Sequence, residues 1–516
     1  MNQSTELAPC RILFVAAEMA PLVKVGGLGE VVGALPRYLV ERGHDVRVLL
    51  PAYQPDALRG ARVRATLADG SGRLRELASE ALPCTVLLLE TSGFLRRRGR
   101  PYGPEEGGEW PDSAEEFGRL CSAAAEIAAG RLLPEWRPDI VHCHDWHTGI
   151  APLRLWLDGS PAASVFTIHN LGFAGLFSPR ILSDLGLPAF LHQPSQLEFH
   201  GDIAFIKGGL CFADQLTTVS PQYAREIQTP EFGAGLDGVM RERRRDLIGI
   251  LNGIDTIVWD PARDPALEQP FDADHPGGKS VERSRLLTEF GLGGPGGPAR
   301  SAIPDGRNAF PLLASIGRLT HQKGIDLLVE ALPELIERGV FLLVLGSGEP
   351  ELERALEAAA RRWPAQVAVH VGFDEALAHR IYAGADMVLM PSRFEPCGLV
   401  QMVAMRYGTV PVVAPVGGLK DTVTDAGEAR LDDGSATGFL MTRSDVAAML
   451  AAVDRAITLF RDPLRWRVLV RNCMGQRCDW RRSVAMYEEV YARALARERS
   501  SSAEAGERTA DASPGG

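Results

Sequence analysis

The chain has no excess of positive charge, no long apolar run and no paired-cysteine motif. Its 516 residues carry a formal charge of −11, which argues against a general nucleic-acid surface, because such a surface is basic. Its two basic clusters, Arg96, Arg97, Arg98 with Arg100, and Arg241 with Arg243, Arg244 and Arg245, read as solvated faces. No run approaches the ~20 apolar residues of a membrane span, so no membrane partner is expected. The eight cysteines (Cys10, Cys84, Cys121, Cys143, Cys211, Cys397, Cys473 and Cys478) include no C-x-x-C. Scattered in this way they read as reduced thiols, not a disulfide framework. Only residues 1–9 precede the first strand pattern, too few for a signal or transit peptide. There is no repeat of solenoid length. A soluble, cytoplasmic protein is expected.

What is present is a long alternation of short apolar runs and helical patterns. The chain is 45% apolar and 23% charged, and its length allows two large domains or three small ones. Strands are expected at residues 11–17, 45–50, 85–89, 140–142, 164–168, 215–219 and 247–251, with helices such as 27–42 and 113–129 between them. Residues 260–278, rich in Pro, Asp and Gly, read as a linker, and 291–300 (GLGGPGGPAR) as a surface loop. The rhythm then restarts with strands at 311–316, 341–345, 367–371, 387–390 and 410–414. Helices are expected at 324–337, 349–362, 374–384 and 398–407. An amphipathic helix follows at 480–496, and the tail from Ser500 has no large apolar residue and is expected to be disordered. This pattern predicts an α/β chain with two doubly wound domains in tandem.

Ligands of open α/β sheets sit beyond the carboxyl ends of strands, so those positions carry the functional reading. Residues 24–30 (KVGGLGE) link the first strand to the first helix. Gly26, Gly27 and Gly29 do not make the dinucleotide fingerprint, and Lys24 precedes the glycines, unlike a P-loop lysine. Strand, glycine turn and helix start nevertheless offer amides to an anion. His142, His144, Asp145 and His147 follow the 140–142 strand. Their spacing matches no hydrolytic zinc motif, and a polar cleft edge is the stronger reading. His169 and Asn170 end the next strand and suit sugar hydroxyls. In the second half, Arg318 and Lys323 flank a turn leading into a helix, where two cations suit a diphosphate; this is the strongest anion signal in the chain. Glu395 precedes Cys397, Gly398 and Leu399 at another helix start, where amides would receive phosphate and the carboxylate would take hydroxyls. Gly417 and Gly418 add a further turn. The Asp272–Asp274 D-x-D falls in the linker, and Gly346-Ser347-Gly348 is a weak turn signal.

The chain resembles the glycogen/starch synthase family from about residue 11 to 496. The resemblance rests on KVGGLGE, VHCHDWHT (141–148), TIHNL (167–171) and YAREIQTPEFGAGLDG (223–238). LNGID (251–255), GRLTHQKGIDL (317–327), LGSGEPELE (345–353), residues 372–386 and PSRFEPCGLVQ (391–401) continue it. It implies two Rossmann-like domains of GT-B type facing across a cleft: an acceptor domain over 1–260 and a donor domain over 261–479. A crossover helix over 480–499 would return toward the first domain, and 500–516 would be the tail. The implied reaction transfers glucose, with retention, from ADP-glucose to the non-reducing end of glycogen or another α-1,4-glucan. No metal and no cofactor are implied. UDP-glucose as donor, or a sugar-nucleotide epimerase on the same fold, are the alternatives. By position, Lys24, Gly26 and Gly27 would meet the donor phosphates, and Arg318 and Lys323 would neutralise the leaving diphosphate. His169 would lie against the glucose, Glu395 would bind its hydroxyls, and the amides of Cys397 to Leu399 would hold the distal phosphate. Asp145, Asn170 and Asn252 would line the sugar or acceptor region, and Phe373 would stack near the base. Glu30 stands where the family has Asp, Phe173-Ala174 where it has Tyr-Gln, and Cys478-Asp479-Trp480 where it has Phe-Ser-Trp.

Overall fold

A computed structural model of the chain describes residues 7–104, 108–294 and 310–510. It divides into two compact units, residues 1–252 with 480–516, and residues 253–479.

The first unit is built on a nine-stranded sheet. In spatial order its strands are Leu247–Gly249, Gln215–Thr218, Ala163–Ile168, Ile140–His144, Arg11–Val15, Asp45–Pro51, Thr85–Thr91, Gly72–Leu77 and Arg62–Thr66. The first seven pair in parallel, and the last two form an antiparallel edge. That edge hairpin is absent from the sequence reading, because its exposed, Arg-rich outer strand lacks an apolar run. The inner parallel strands are buried on both faces, which is why they read as continuous apolar runs. Polar residues that enter them bond one another: His142 Nε2 lies 2.6 Å from Thr167 Oγ1, which lies 2.5 Å from Thr217 Oγ1.

The helix Arg481–Ala510 belongs to this unit although it ends the chain. Trp480, Tyr487 and Tyr491 are buried, and the Tyr491 hydroxyl is 2.9 Å from His142 Nδ1. Arg42 donates two bonds to the Glu488 carboxylate, at 3.0 and 2.9 Å, and Ser483 donates to Leu251 O at 2.5 Å. The helix runs to Ala510, past the 499 at which the sequence ends it. Residues 511–516 of the expected tail lie outside the described residues.

The second unit has a six-stranded parallel sheet in the order Val367–Val371, Phe341–Gly346, Leu312–Ile316, Met387–Met390, Val410–Val413 and Phe439–Leu440. Its core packs Leu286, Leu312, Phe341, Leu343 and Ile381 together. The helix expected over 324–337 is two, Ile325–Glu330 and Leu332–Glu337. Pro333 supplies no N–H to continue the ladder. The helices Val446–Phe460 and Pro463–Met474 were not anticipated, though each starts on an aspartate cap: Asp445 accepts from Ala448 N, and Asp462 from Arg465 N.

The expected linker is part of this unit's core, which corrects the sequence reading. Trp259 stacks on His379 with centroids 4.1 Å apart. Buried Asp264 accepts from Tyr407 at 2.5 Å and pairs with His379 at 2.6 Å. Ile254 N donates to Cys478 O. These contacts set the crossing at 252/253, earlier than residue 260. The helix Gly277–Glu289 then packs onto the sheet, with Lys279 donating to three carbonyls and Thr409. Part of the expected 291–300 loop, residues 295–300, lies outside the described residues. One arginine of each basic cluster also departs from the solvated-face reading. Arg97 is 1% exposed, bonded to Pro101 O and Asp112 and lying over Phe94 and Phe117. Arg243 is tethered to Leu210 O and Ala213 O.

Candidate active site

The turn after the first strand is held from inside by a carboxylate that sequence reading did not single out. Glu18 is 2% exposed, and its Oε2 accepts from Val25 N at 2.6 Å and Gly26 N at 3.0 Å. Tyr102 donates its hydroxyl to Oε1 of the same group. Two amides of the glycine turn are therefore already engaged, and Lys24 brings an ammonium to the same turn. That ammonium pairs with Glu30 at 2.5 Å, so the longer side chain at position 30 reaches back across the helix start to the lysine. Packing demands glycine at Gly33, where a Cβ would meet Ala20 O at 2.8 Å, whereas at Gly26 a Cβ would meet nothing within 4 Å. Gly26 is the N-cap of the helix Gly27–Glu41, a position where glycine is favoured.

The histidines at the next strand end do not form a polar cleft edge. His142, His144 and His147 are buried, packed against Phe14, Phe117, Tyr102 and Trp146. Nor do they gather as metal ligands. His142 bonds to Tyr491 and Thr167, and His144 Nδ1 lies 3.0 Å from His169 Nε2. Burial alone pushes His169 down to about 3, and burial followed by the neighbouring His169 takes His142 to about 3. Burial likewise drives His144 and His147 well below the ordinary imidazole range. All four are neutral at pH 7.

Asp145 organises the neighbouring strand end. Its Oδ1 accepts from His169 N at 2.8 Å and Asn170 N at 3.2 Å. Its backbone has φ 58° and ψ 179°, a region nearly reserved for glycine and costing about 1–3 kcal/mol. Burial raises its carboxyl to about 7, against the lowering effect of those two amides. Asn170 Oδ1 accepts from Gly172 N at 3.0 Å. Asn252 is buried, and its Oδ1 has no partner among the described residues.

In the second unit three strand ends are stitched together. A Cβ at Gly324 would come within 2.2 Å of Pro391 O, so the two loops touch backbone to backbone there. Arg393 N donates to Gln322 O at 3.0 Å, and the Arg393 fork grips Asp326 with two bonds of 2.6 Å. Lys323 donates to Glu395 Oε2, and Ser392 Oγ donates to the same oxygen at 3.3 Å. Glu395 is 5% exposed, so a carboxylate withdrawn from water is matched by an ammonium. Exposed Arg318 donates to Gln322 at 3.2 Å. Gly417 and Gly418 pack against residues 395–397, where a Cβ would meet Glu395 O at 1.8 Å or Cys397 O at 2.2 Å. The amides of Gly398 and Leu399 donate to no acceptor among the described residues. Gly346-Ser347-Gly348, a weak signal in the sequence, braces this region: Leu319 N donates to Ser347 O at 2.9 Å. Phe373 is 80% exposed.

Asp272 does not face Asp274 as a metal pair: Asp272 accepts from His275 N, and Asp274 pairs with Arg471. His321 and Glu351, exposed, and half-buried Glu349 lie close enough to share an ion, but His321 already pairs with Glu349 at 2.5 Å. Glu18, Tyr102, Gln322 and Ser392 went unnoticed in the sequence. One signal was there to be used: of 55 cationic residues only five are lysines, Lys24, Lys207, Lys279, Lys323 and Lys420. A chain that otherwise uses arginine keeps lysine where a compact ammonium is needed.

Residues 11–242 match the family model described as starch synthase catalytic domain, and residues 310–458 match glycosyl transferases group 1. Glycogen synthase 1 of Methylococcus capsulatus is 46% identical over 490 residues, covering 94% of this chain and 97% of that protein. Glycogen synthase of Alkalilimnicola ehrlichii is 47% identical, covering 93% and 98%. Among solved structures, the catalytic domain of starch synthase IV from Arabidopsis thaliana, bound to ADP and acarbose, is similar with a TM-score of 0.82. It is 33% identical, with 95% of this chain and 100% of that one covered. Sucrose-phosphate synthase from Thermosynechococcus elongatus shares the GT-B fold at a TM-score of 0.59 and 19% identity, covering 94% of this chain and 99% of that one. With its paired Rossmann-like units and its motifs at the strand ends, the chain belongs to the glycogen/starch synthase family of glycosyltransferases.

Proposed function

We propose that this glycosyltransferase moves glucose from ADP-glucose to the non-reducing end of an α-1,4-glucan such as glycogen, with retention at the anomeric carbon. The observation that carries the reading is the Lys323–Glu395 pair beside the unengaged amides of Gly398 and Leu399. Cation, carboxylate and free N–H groups at neighbouring loops suit a ligand that is both anionic and hydroxyl-rich. The ADP named with the Arabidopsis starch synthase supports an adenine donor. Lys323 and Arg318 neutralise charge on the diphosphate as it leaves, Glu395 accepts from the glucose hydroxyls, and Cys397, Gly398 and Leu399 hold the distal phosphate. Phe373 offers its exposed ring to the base. In the same reaction Lys24, beside the Gly26–Gly27 turn, serves the phosphates. His169 lies against the glucose, with Asp145, Asn170 and Asn252 around the sugar and acceptor.

Glu395 is the strand-end carboxylate given to the glucose, and Asp145 is engaged by two backbone amides, whereas a double-displacement retaining mechanism needs a short-range carboxylate pair. Departure and attack therefore occur on one face. The bond from C1 to the phosphate oxygen breaks with its electrons going to the diphosphate. The acceptor 4-hydroxyl oxygen bonds to C1, and its proton passes to the departing phosphate oxygen. All eight cysteines are free thiols, and no described helix is long and apolar enough to cross a membrane; work in the cytoplasm fits the thiols. Incubation with glycogen and labelled ADP-glucose or UDP-glucose tests the proposal. Incorporation from ADP-glucose with release of ADP is expected. Preference for UDP-glucose would replace the donor, and isomerised donor without incorporation would overturn the reading.

A further inference from the structure

The contact between His144 and His169 has a chemical consequence, because two neutral imidazoles joined by one hydrogen bond must split the roles of donor and acceptor. The parallel register sets His144 opposite Thr167, so His169, two residues on, points to the same face and meets it. His144 Nδ1 and His169 Nε2 are 3.0 Å apart. The His144 ring is fully buried, stacked on Phe14 at 5.2 Å and tilted against His142 at 4.2 Å. Its other nitrogen, Nε2, is buried with no partner among the described residues.

Were His169 to donate through Nε2–H, His144 would have to carry its proton on Nε2. That would leave an N–H pointing into a ring stack with no acceptor, and orphaned buried N–H groups are rarer than under-used acceptors. With the proton on His144 Nδ1, the orphan is only a lone pair. We infer that His144 is a positioning residue that fixes His169 in its Nδ1–H tautomer, so that His169 presents a donor to its ligand. An imidazole left to itself in water favours the Nε2–H form, so the tautomer is imposed by the fold. Asp145 holds the His169 main chain from the other side at 2.8 Å, which fixes the direction of that donor. Burial keeps both rings neutral. A hydroxyl or phosphoryl oxygen suits such a donor; a hydroxyl proton does not. The inference rests on the reading that His169 lies against the donor sugar.

The test uses the full chain labelled with nitrogen-15 histidine, with His169 assigned by its loss in His169→Ala. Its ring is expected to give the Nδ1–H pattern in the unaltered protein. His144→Phe keeps the stack on Phe14 but removes the donor. It should switch His169 to Nε2–H and lower kcat about tenfold, with KM for glycogen within twofold. His144→Asn, whose amide nitrogen stands where Nδ1 did, should restore both. An Nε2–H signal in the unaltered protein overturns the inference, and needs no variant to fold. An unswitched His169 in His144→Phe, or a switch that leaves kcat unmoved, also overturns it. Failure of the underlying reading shows separately, as wild-type turnover in His169→Ala.

Discussion

His169 in the first unit and Glu395 in the second both stand just past the carboxyl end of a parallel strand, and both are almost wholly buried. Their surroundings differ in kind. His169 is held by another imidazole and by backbone bonds to Asp145, and the ring stays neutral. Glu395 is held by a lysine and a serine hydroxyl. Removing a neutral ring from water costs little if its hydrogen bonds are met, whereas a buried charge needs a counter-charge. The strand end at His169 is thus built from neutral, packed groups, and the one at Glu395 from a charge pair that fails when either member is removed. Sensitivity to acid is expected at the His169 strand end, and the strongest sensitivity to charge deletion at the Glu395 strand end.

The largest effect expected is on the charged side. Glu395→Gln should lower kcat by about 10²–10³-fold while ADP affinity, read by calorimetry, stays within a few-fold; a full-rate variant would sink the role given to Glu395. Next comes Lys24→Ala, which removes one charge-assisted contact. Such a contact is worth roughly 1.5–3 kcal/mol, so kcat/KM for ADP-glucose should fall about 10–100-fold with KM for glycogen unchanged. Equal loss of both would place Lys24 outside the phosphate site.

Acid should separate the units. His142 and His169 have folded values near 3 against an ordinary 6.5, so between those limits the unfolded chain binds protons that the folded chain does not. Their contribution is complete above pH 6.5 and is lost as pH falls toward 3, approaching about 1.4 kcal/mol per pH unit for each ring. Amide exchange between pH 7 and 5 should therefore show residues 140–147 and 163–170 losing protection before the second unit's strands. Simultaneous loss would remove the contrast. The smallest effect is expected at Asp145, whose single oxygen accepts both amides. A carboxamide oxygen can do the same, so Asp145→Asn should keep turnover within about threefold, and Asp145→Ala should lose about tenfold. Its folded value near 7 lies above the ordinary 3.8, so wild-type stability falls as pH rises between the two. The Asn variant should accordingly gain relative stability toward pH 8, as thermal unfolding would report; the reverse sign would mean that the charge at Asp145 is stabilised in the fold.

The sequence by itself determined the parallel strands of the two sheets, since strands buried on both faces must be written as apolar runs. It also carries the charged residues on which the proposed donor side rests. Arg318, Lys323 and Glu395 follow strands that any reader of periodicity would draw, and the two cations stand where the helix dipole opposes positive charge. What it could not determine was pairing over distance. Glu18 filling the turn of Lys24, Trp259 stacking on His379, and the tether from Arg42 to Glu488, 446 residues away, have no local periodicity to betray them. The linker and cleft-edge readings failed for the same reason. Proline- and histidine-rich segments look solvated in one dimension, and only the packed fold supplies the rings and carboxylates that take them out of water. Local propensity and burial pattern belong to the chain; which buried polar group satisfies which other was decided only when the strands came into register.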